Sequence, residues 1–209
     1  MEFDRPAPGE ELNTGDLPTE PRQAASVIVV RGAGEELEVL LVQRTPEARF
    51  MGGFWVFPGG AVDAHEGEGD AAHRLAAVRE LREEAGVEGI GPAELVRFSR
   101  WITPRQVEIR FDTHFFVAPM PHGATVEVDG AEIVDHRWYS PAAALEAHRS
   151  DDLALVFPTI KHLEQLEAFS SADDLIAHAE KEEVVPVEPR VLIEGEVARV
   201  VLPGEPGYD

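Results

Sequence analysis

Hydrophobic positions along this chain fall into short runs separated by turn-forming residues. "SVIVV" (26–30) is β-branched almost throughout and predicts a buried strand. "RGAGEE" then turns, and "LEVLLVQR" (37–44) predicts a second strand, so the pair reads as a hairpin. "FWVFPGG" (54–60) predicts a short aromatic strand that stops at Pro58-Gly59-Gly60, where a tight loop with exposed backbone is expected. "AVDAHEGEGD" (61–70) reads as a polar loop. Further strands are predicted over 94–103, 108–118 and the end of 130–140. Helices are predicted over 71–85, 140–148 (Ser140 as cap and Pro141 in first position), 159–169 and 171–181. The tail "PRVLIEGEVARVVLPGEPGYD" predicts a hairpin around "EGE" with a Pro/Gly-rich finish. Strands and helices mix without regular βαβ alternation, which predicts an α/β fold with a mixed sheet and helices on its faces.

On the helix over 71–85, Leu75, Val78, Leu81 and Ala85 share one side, predicted to face the core. Glu80, Glu83 and Glu84 fall roughly opposite, and Gly86 is a natural stop. The spacings of three and four bring these carboxylates within reach of one point. In a cleft at an effective dielectric near 20, two carboxylates about 6 Å apart repel by roughly 3 kcal/mol, so such a cluster calls for protons or cations. Oxygen-only ligands favour Mg²⁺ or Mn²⁺. The same residues also read as an exposed helix face solvated by Arg79 and Arg82.

Composition narrows the function classes. Asp+Glu outnumber Lys+Arg 40 to 18, a formal charge of -22. That balance gives no basic footprint for sequence-independent nucleic-acid binding or for anionic membranes. A small anionic substrate then needs local arginines or metal ions. The absence of cysteine excludes disulfides, thiolate zinc sites and a cysteine nucleophile. The start of the chain lacks a signal-peptide pattern and no apolar run is long enough to span a bilayer, so a cytoplasmic location is expected. Residues 1–23, rich in Pro, Gly and Glu, read as a flexible arm, residues 24–181 as the catalytic domain and residues 182–209 as a C-terminal hairpin tail.

The segment "RELREEAGV" (79–87), preceded by "FPGG" (57–60), resembles the signature of the Nudix hydrolases. That signature runs Gly, five residues, Glu, seven residues, then Arg-Glu-apolar-any-Glu-Glu-any-Gly-apolar. Its second half is matched by Arg79, Glu80, Leu81, Glu83, Glu84, Gly86 and Val87. The first half departs from it. Counting back from Arg79 puts the first Glu at Ala71, whereas counting forward from Gly60 puts it at Glu66; Glu66 or Glu68 is left as a candidate. Segments such as "WITPRQVEIRFDTHFFVA" and "FPTIKHLEQL" are similar to a subgroup that includes coenzyme A diphosphatases.

The resemblance implies an α/β/α sandwich with a central mixed sheet, and cleavage of a diphosphate linkage by water with Mg²⁺ or Mn²⁺. It implies Glu83 and Glu84 as metal ligands with the carbonyl of Gly59, Glu80 as a further ligand or the water-activating base, and Arg79 as their orienting residue. It also implies a carboxylate from a later loop, for which Glu132 is the candidate and Asp129 and Asp135 are competitors. Arg44, Arg105 and Arg110 are candidate phosphate contacts, though each also reads as a surface ion-pair residue. Trp55 is expected in the core, Trp101 is open, and the polar sides of their helices account for His162 and His178. The implied partner is a small-molecule diphosphate, coenzyme A or another ADP-containing metabolite among the candidates, and the family's dimers make a homodimer one allowed state. Three other readings stand beside this one. One is a Nudix-fold sensor that binds a nucleotide metabolite without cleaving it. The second is an isoprenyl diphosphate isomerase, disfavoured by the missing cysteine. The third is an acidic α/β protein with a merely charged helix.

Overall fold

The computed structural model describes residues 2, 3, 11–13, 15, 17–32, 37–194 and 197–208. Its strands are β1 (Glu2–Phe3), β2 (Arg22–Arg31), β3 (Glu38–Arg44), β4 (Trp55–Val56), β5 (Gly59–Ala61), β6 (Val96–Ile102), β7 (Phe111–Pro119), β8 (Ile133–Tyr139), β9 (Pro186–Val187), β10 (Arg190–Glu194) and β11 (Val197–Val201). Its helices are α1 (Gly69–Ala85), α2 (Pro141–Arg149), α3 (Phe157–Leu166) and α4 (Ala172–Ala179), with a 3-10 turn at Ala64–Glu66.

The main sheet is mixed and runs β4-β3-β2-β7-β6-β9, with β8 paired along β3. β2 and β7 are parallel over Arg22–Val30 and Phe111–Pro119, and they form its centre. Their side chains alternate between two buried faces, which is why both read as continuous apolar runs. Ala25, Val27 and Val29 of β2 join Phe116 and Ala118 of β7 beneath α1, whereas Ile28, Val30, Phe115 and Val117 meet α2, α3 and α4. The expected α/β/α sandwich is therefore the observed architecture.

β3 separates from β2 beyond Val39, and the fork is filled by β4 on β3 and β5 on β2. This overturns the expected loop at Pro58-Gly59-Gly60, because Gly59–Ala61 is a strand paired with Ala24–Ser26. The lack of side chains makes the pairing feasible: a Cβ on Gly59 would lie 2.7 Å from Ser26 Cα. Pro58 sits where its missing N–H costs nothing, and its carbonyl accepts from Val27 N–H and the Ser26 hydroxyl.

The face of α1 also differs from expectation. Leu75 is exposed, and the buried positions are Ala72, His73, Ala76, Ala77, Leu81, Glu84 and Ala85. Alanines allow the helix to approach β2 and β5 closely, so the contact face is centred on them and carries Glu84 inward. Gly86 ends the helix in a left-handed conformation (φ 61) and donates to the Arg82 carbonyl, as its position predicts. Ser140 caps α2 through Ala143 N–H, also as predicted.

His162 is another correction. It is fully buried, its Nε2 lies 2.6 Å from the Ser99 hydroxyl, and the rings of Phe57, Phe98, Trp101 and Phe115 surround it. Burial drives its pKa down to about 3 against an upward pull from the Pro158 carbonyl.

The ends of the chain meet the main sheet. β9 pairs with β6 at Arg100 and Trp101, and β10 and β11 form the expected antiparallel hairpin, to which β1 adds. The hairpin turn at 195–196 and the turn at 33–36 lie outside the described residues, as does much of the expected arm. The described part of that arm is tied down: Leu12 bridges Val107, Asn13 N–H donates to the Gln106 carbonyl, and Thr19 Oγ donates to the Glu108 carbonyl. Among the described residues no helix is long and apolar enough to cross a membrane.

Candidate active site

The close seat of α1 brings its glutamates to β5. A Cβ on Gly60 would collide with the Glu80 carboxylate, so glycine there is what lets the carboxylate lie over the strand. Glu84 is 3% exposed. Its Oε2 accepts from Gly59 N–H at 2.8 Å, and its Oε1 lies 3.6 Å from Arg44 Nη1. It is the amide of Gly59, where the resemblance implies the carbonyl, that meets a glutamate. Burial above all, reinforced by the negative charges of Glu80 and Glu132, raises the Glu84 pKa to about 8, against the opposing pulls of the Gly59 amide and Arg44. Burial likewise raises Glu80, with Arg79 opposing.

Arg79 holds the group together with its planar fork of donors. Nε and Nη2 donate to the two oxygens of Glu66 at 3.0 and 3.3 Å, and Nη2 also donates to the Ala61 carbonyl at 3.0 Å. Nη1 donates to Glu80 at 2.7 Å and to Glu83 at 3.2 Å. The Glu66 contact, ahead of those to Glu80 and Glu83, raises the Arg79 pKa further above its ordinary value. Burial pulls the Glu66 pKa upward, but the hydrogen bonds from Arg79 and Asp63 N–H outweigh it, and the carboxyl lies below its usual range. Glu68 is exposed at the start of α1. The geometry thus selects Glu66, at the family spacing from Gly60, and puts the additional loop residues between Glu66 and Arg79.

The loop carboxylates separate as clearly. Glu132 lines the same cavity as Glu80 and Glu84. Asp129 accepts from the N–H groups of Glu132 and Ile133 and so builds the turn that presents Glu132. Asp135 pairs with Arg137 at 3.3 Å. The candidate arginines fare differently. Arg44 lines the cavity, but its Nε donates to the Phe50 carbonyl. Arg105 and Arg110 are not among the lining residues. Arg105 pairs with Glu188, and Arg110 is buried, donating to the Thr103 and Thr19 carbonyls and to Glu188 at 2.8 Å. The Arg110 guanidinium is thereby committed to ties within the protein, away from the cavity lining.

The cavity itself has a volume of about 570 Å³. Its floor is one face of the β2–β7 pair, where the small side chains of Ala24, Ser26 and Thr113 leave the space open. Arg22, which the sequence reading missed, lines it too. No carboxylate among the described residues pairs with Arg22, an uncommon state in a chain this acidic, and its position on the same face as Ala24 and Ser26 was the available signal. Trp101 lines the cavity, whereas Trp55 is 3% exposed in the core.

Among the described residues no three carboxylates or histidines gather around one point as a ready cation cage. Glu83 leans out to Arg79 and Glu84 toward the Gly59 amide. The donor set still suits a hard divalent cation: acceptor-only oxygens on one helical turn, two of them strained toward protonation by burial and mutual repulsion, with Glu83 held by a single exposed contact.

Comparison with known proteins agrees with this geometry. The family model described as NUDIX domain matches residues 20–158. The chain is 25% identical to human acyl-coenzyme A diphosphatase NUDT19, an alignment covering 76% of this chain and 72% of that protein. It is 26% identical to Caenorhabditis elegans nudix hydrolase 7 over 69% of this chain, and spans 60% of that protein's length. The crystal structure of a NUDIX hydrolase from Alicyclobacillus acidocaldarius superposes with a TM-score of 0.67 at 29% identity, covering 76% of this chain and 96% of the other. With its signature helix, its α/β/α sandwich and a family model across most of its length, the chain belongs to the NUDIX family of hydrolases.

Proposed function

We propose that this protein is a cytoplasmic, Mg²⁺- or Mn²⁺-dependent hydrolase that cleaves the diphosphate linkage of a nucleoside diphosphate derivative, with coenzyme A or another ADP-containing metabolite as the substrate class. The observation that carries the reading is the nearly buried Glu84 beside Glu80 on the cavity wall, facing Glu132. Burial and the neighbouring negative charges oppose the ionisation of Glu80 and Glu84, and a bound cation relieves that opposition. The similarity to an acyl-coenzyme A diphosphatase supports the choice of substrate class.

In this reading Glu83 and Glu84 would hold the metal, joined by the Gly59 carbonyl, with Glu80 as a further ligand or the base. When bound, the metal neutralises the diphosphate and makes a water molecule acidic enough to attack. The chain's own residues do the rest. Arg79 fixes the rotamers of Glu80 and Glu83 and, through Glu66, anchors the helix to the β5 loop. Glu80 or Glu132, whichever stays off the metal, takes the proton from the attacking water at a carboxylate oxygen. Arg22 receives phosphate charge, being a cavity-lining cation that no carboxylate among the described residues pairs with. Residues 24–181 form the catalytic unit, and residues 182–209 complete the cavity.

The test is a phosphate-release screen over coenzyme A, acyl-coenzyme A, ADP-ribose, NADH, dinucleoside polyphosphates and nucleoside triphosphates, with Mg²⁺, Mn²⁺ or chelator. Turnover of one class that vanishes in chelator and in Glu83→Gln and Glu84→Gln is expected. Metabolite binding without turnover of any substrate would replace the hydrolase reading with that of a sensor.

A further inference from the structure

We infer that the part of the cavity remote from the glutamates is a subsite for an apolar group at the far end of the substrate, walled by the two terminal segments of the chain through Leu12, Val191 and Val200. The inference rests on the hydrolase reading for what occupies the other end.

The layout follows from the strand registers. Ala25 and Ser26 of β2 face Gly60 and Gly59, where the glutamates are. Arg22 lies at the opposite end of the same strand, roughly 13 Å from Ser26 at about 3.3 Å per residue, and pairs with Phe111. Around that far end the chain gathers its termini. Leu12 bridges Val107, β9 pairs with Trp101, Val191 N–H donates to the Gln106 side chain at 3.5 Å, and Arg110 ties Thr19 to Glu188. Leu12, Trp101, Val107, Phe111, Val191 and Val200 all line the cavity there.

These side chains are too apolar and too wet to be mere filler. Leu12 is 41% exposed, and Trp101, Val191 and Val200 are only half-buried although they sit together. Apolar groups grouped around open space gain by covering it with an apolar ligand. The polar groups at this end are mostly committed: the Thr103 hydroxyl accepts from Phe111 N–H and its carbonyl accepts from Arg110. A nucleobase, whose edge needs several hydrogen-bond partners, is poorly served there. An acyl chain is well served there, with Arg22 at the same end of β2 to receive negative charge from the substrate. The subsite therefore favours diphosphates that end in an apolar chain over those that end in a sugar or a second base.

The experiment uses full-length Glu84→Gln protein in Mg²⁺, so that ligands are not consumed, and measures calorimetric affinities for octanoyl-coenzyme A, coenzyme A and ADP. Octanoyl-coenzyme A is expected to bind at least 10-fold more tightly than coenzyme A. Adding Val191→Asp or Val200→Asp should erase that difference while leaving coenzyme A and ADP within twofold. Leu12→Asp, at a more exposed position, should reduce the difference by at least threefold and serves if the valine variants lose their thermal transition. Equal affinities for the two coenzyme A forms in the parent, or losses of the same size for all three ligands, would overturn the subsite. Activity of the wild-type protein separates the two claims. An active enzyme without the affinity difference loses only the subsite, and an inactive protein with it loses only the hydrolase reading.

Discussion

The two ends of the cavity are built in opposite ways. At the glutamate end, one helix and one short strand supply nearly everything, and charges are packed close enough to raise one another's pKa. At the far end, apolar residues come from segments as far apart in the sequence as Leu12 and Val200, and Arg22, which no carboxylate among the described residues pairs with, supplies charge. Local contacts set the first end rigidly, while the second depends on the chain closing on itself. In the reading proposed above, chemistry falls to the end built by local contacts and selection to the end that tertiary contacts can remodel.

The comparison can be broken at its charged end first. Glu84→Gln should lower kcat by about 10³-fold or more, equivalent to roughly 4 kcal/mol of transition-state stabilisation, without lowering the thermal midpoint of the metal-free protein. Removing metal with chelator should reproduce that loss in the wild type, and a smaller loss in a steady-state assay would show that Glu84 is dispensable. Arg79→Gln should lower kcat about 10²-fold, because it frees Glu66, Glu80 and Glu83 together, and Arg79→Lys should recover little of it since an ammonium lacks the fork. Unchanged kcat in either variant would dissociate Arg79 from the chemistry.

Beneath the apolar end, His162 gives a stability signature. Its folded pKa, about 3, lies below the ordinary 6.5, so the unfolded state takes up the proton first as pH falls. The stabilisation is full above pH 6.5 and is lost between there and about pH 3, amounting to about 2 kcal/mol by pH 5. Urea unfolding at pH 7 and pH 5 should show this loss in the wild type and a smaller one in His162→Leu. The smallest effect is expected at the far end's arginine: Arg22→Gln should raise KM about tenfold, or about 1.4 kcal/mol, with kcat little changed. A fall in kcat with constant KM would move Arg22 from binding to the reaction itself.

How much of this was legible in the sequence follows the same division. The signature helix, its glycine stop and the order of most strands were readable, because helix periodicity and turn chemistry act over a few residues. Leu75 was misplaced because a periodicity argument weighs side chains by size, whereas α1 packs by its alanines. Gly59 and Gly60 were read as loop formers, although here glycine admits a strand and a carboxylate where no Cβ fits. The first signature glutamate stayed undecided until the Arg79 fork picked out Glu66. Arg110, a candidate phosphate contact that also read as an ion-pair residue, is tied to Thr19 and Glu188, and Arg22 was not among the candidates. Arg110 depends on Thr19 and Glu188, which lie 91 and 78 residues away, and no local pattern encodes such separations.

The alanine face of α1 also has a mechanical meaning. A helix mounted through leucines rests on several rotatable bonds per contact, and each lends it some play. Here the mount is a row of methyl groups directly on the strand backbone, so the support is short and stiff. The Cα positions of the glutamates on its last turn are thereby set directly by the sheet. Enlarging Ala76 or Ala77 by even two methyl groups would act as a shim, lifting every oxygen of the cluster together while leaving each residue of the signature intact.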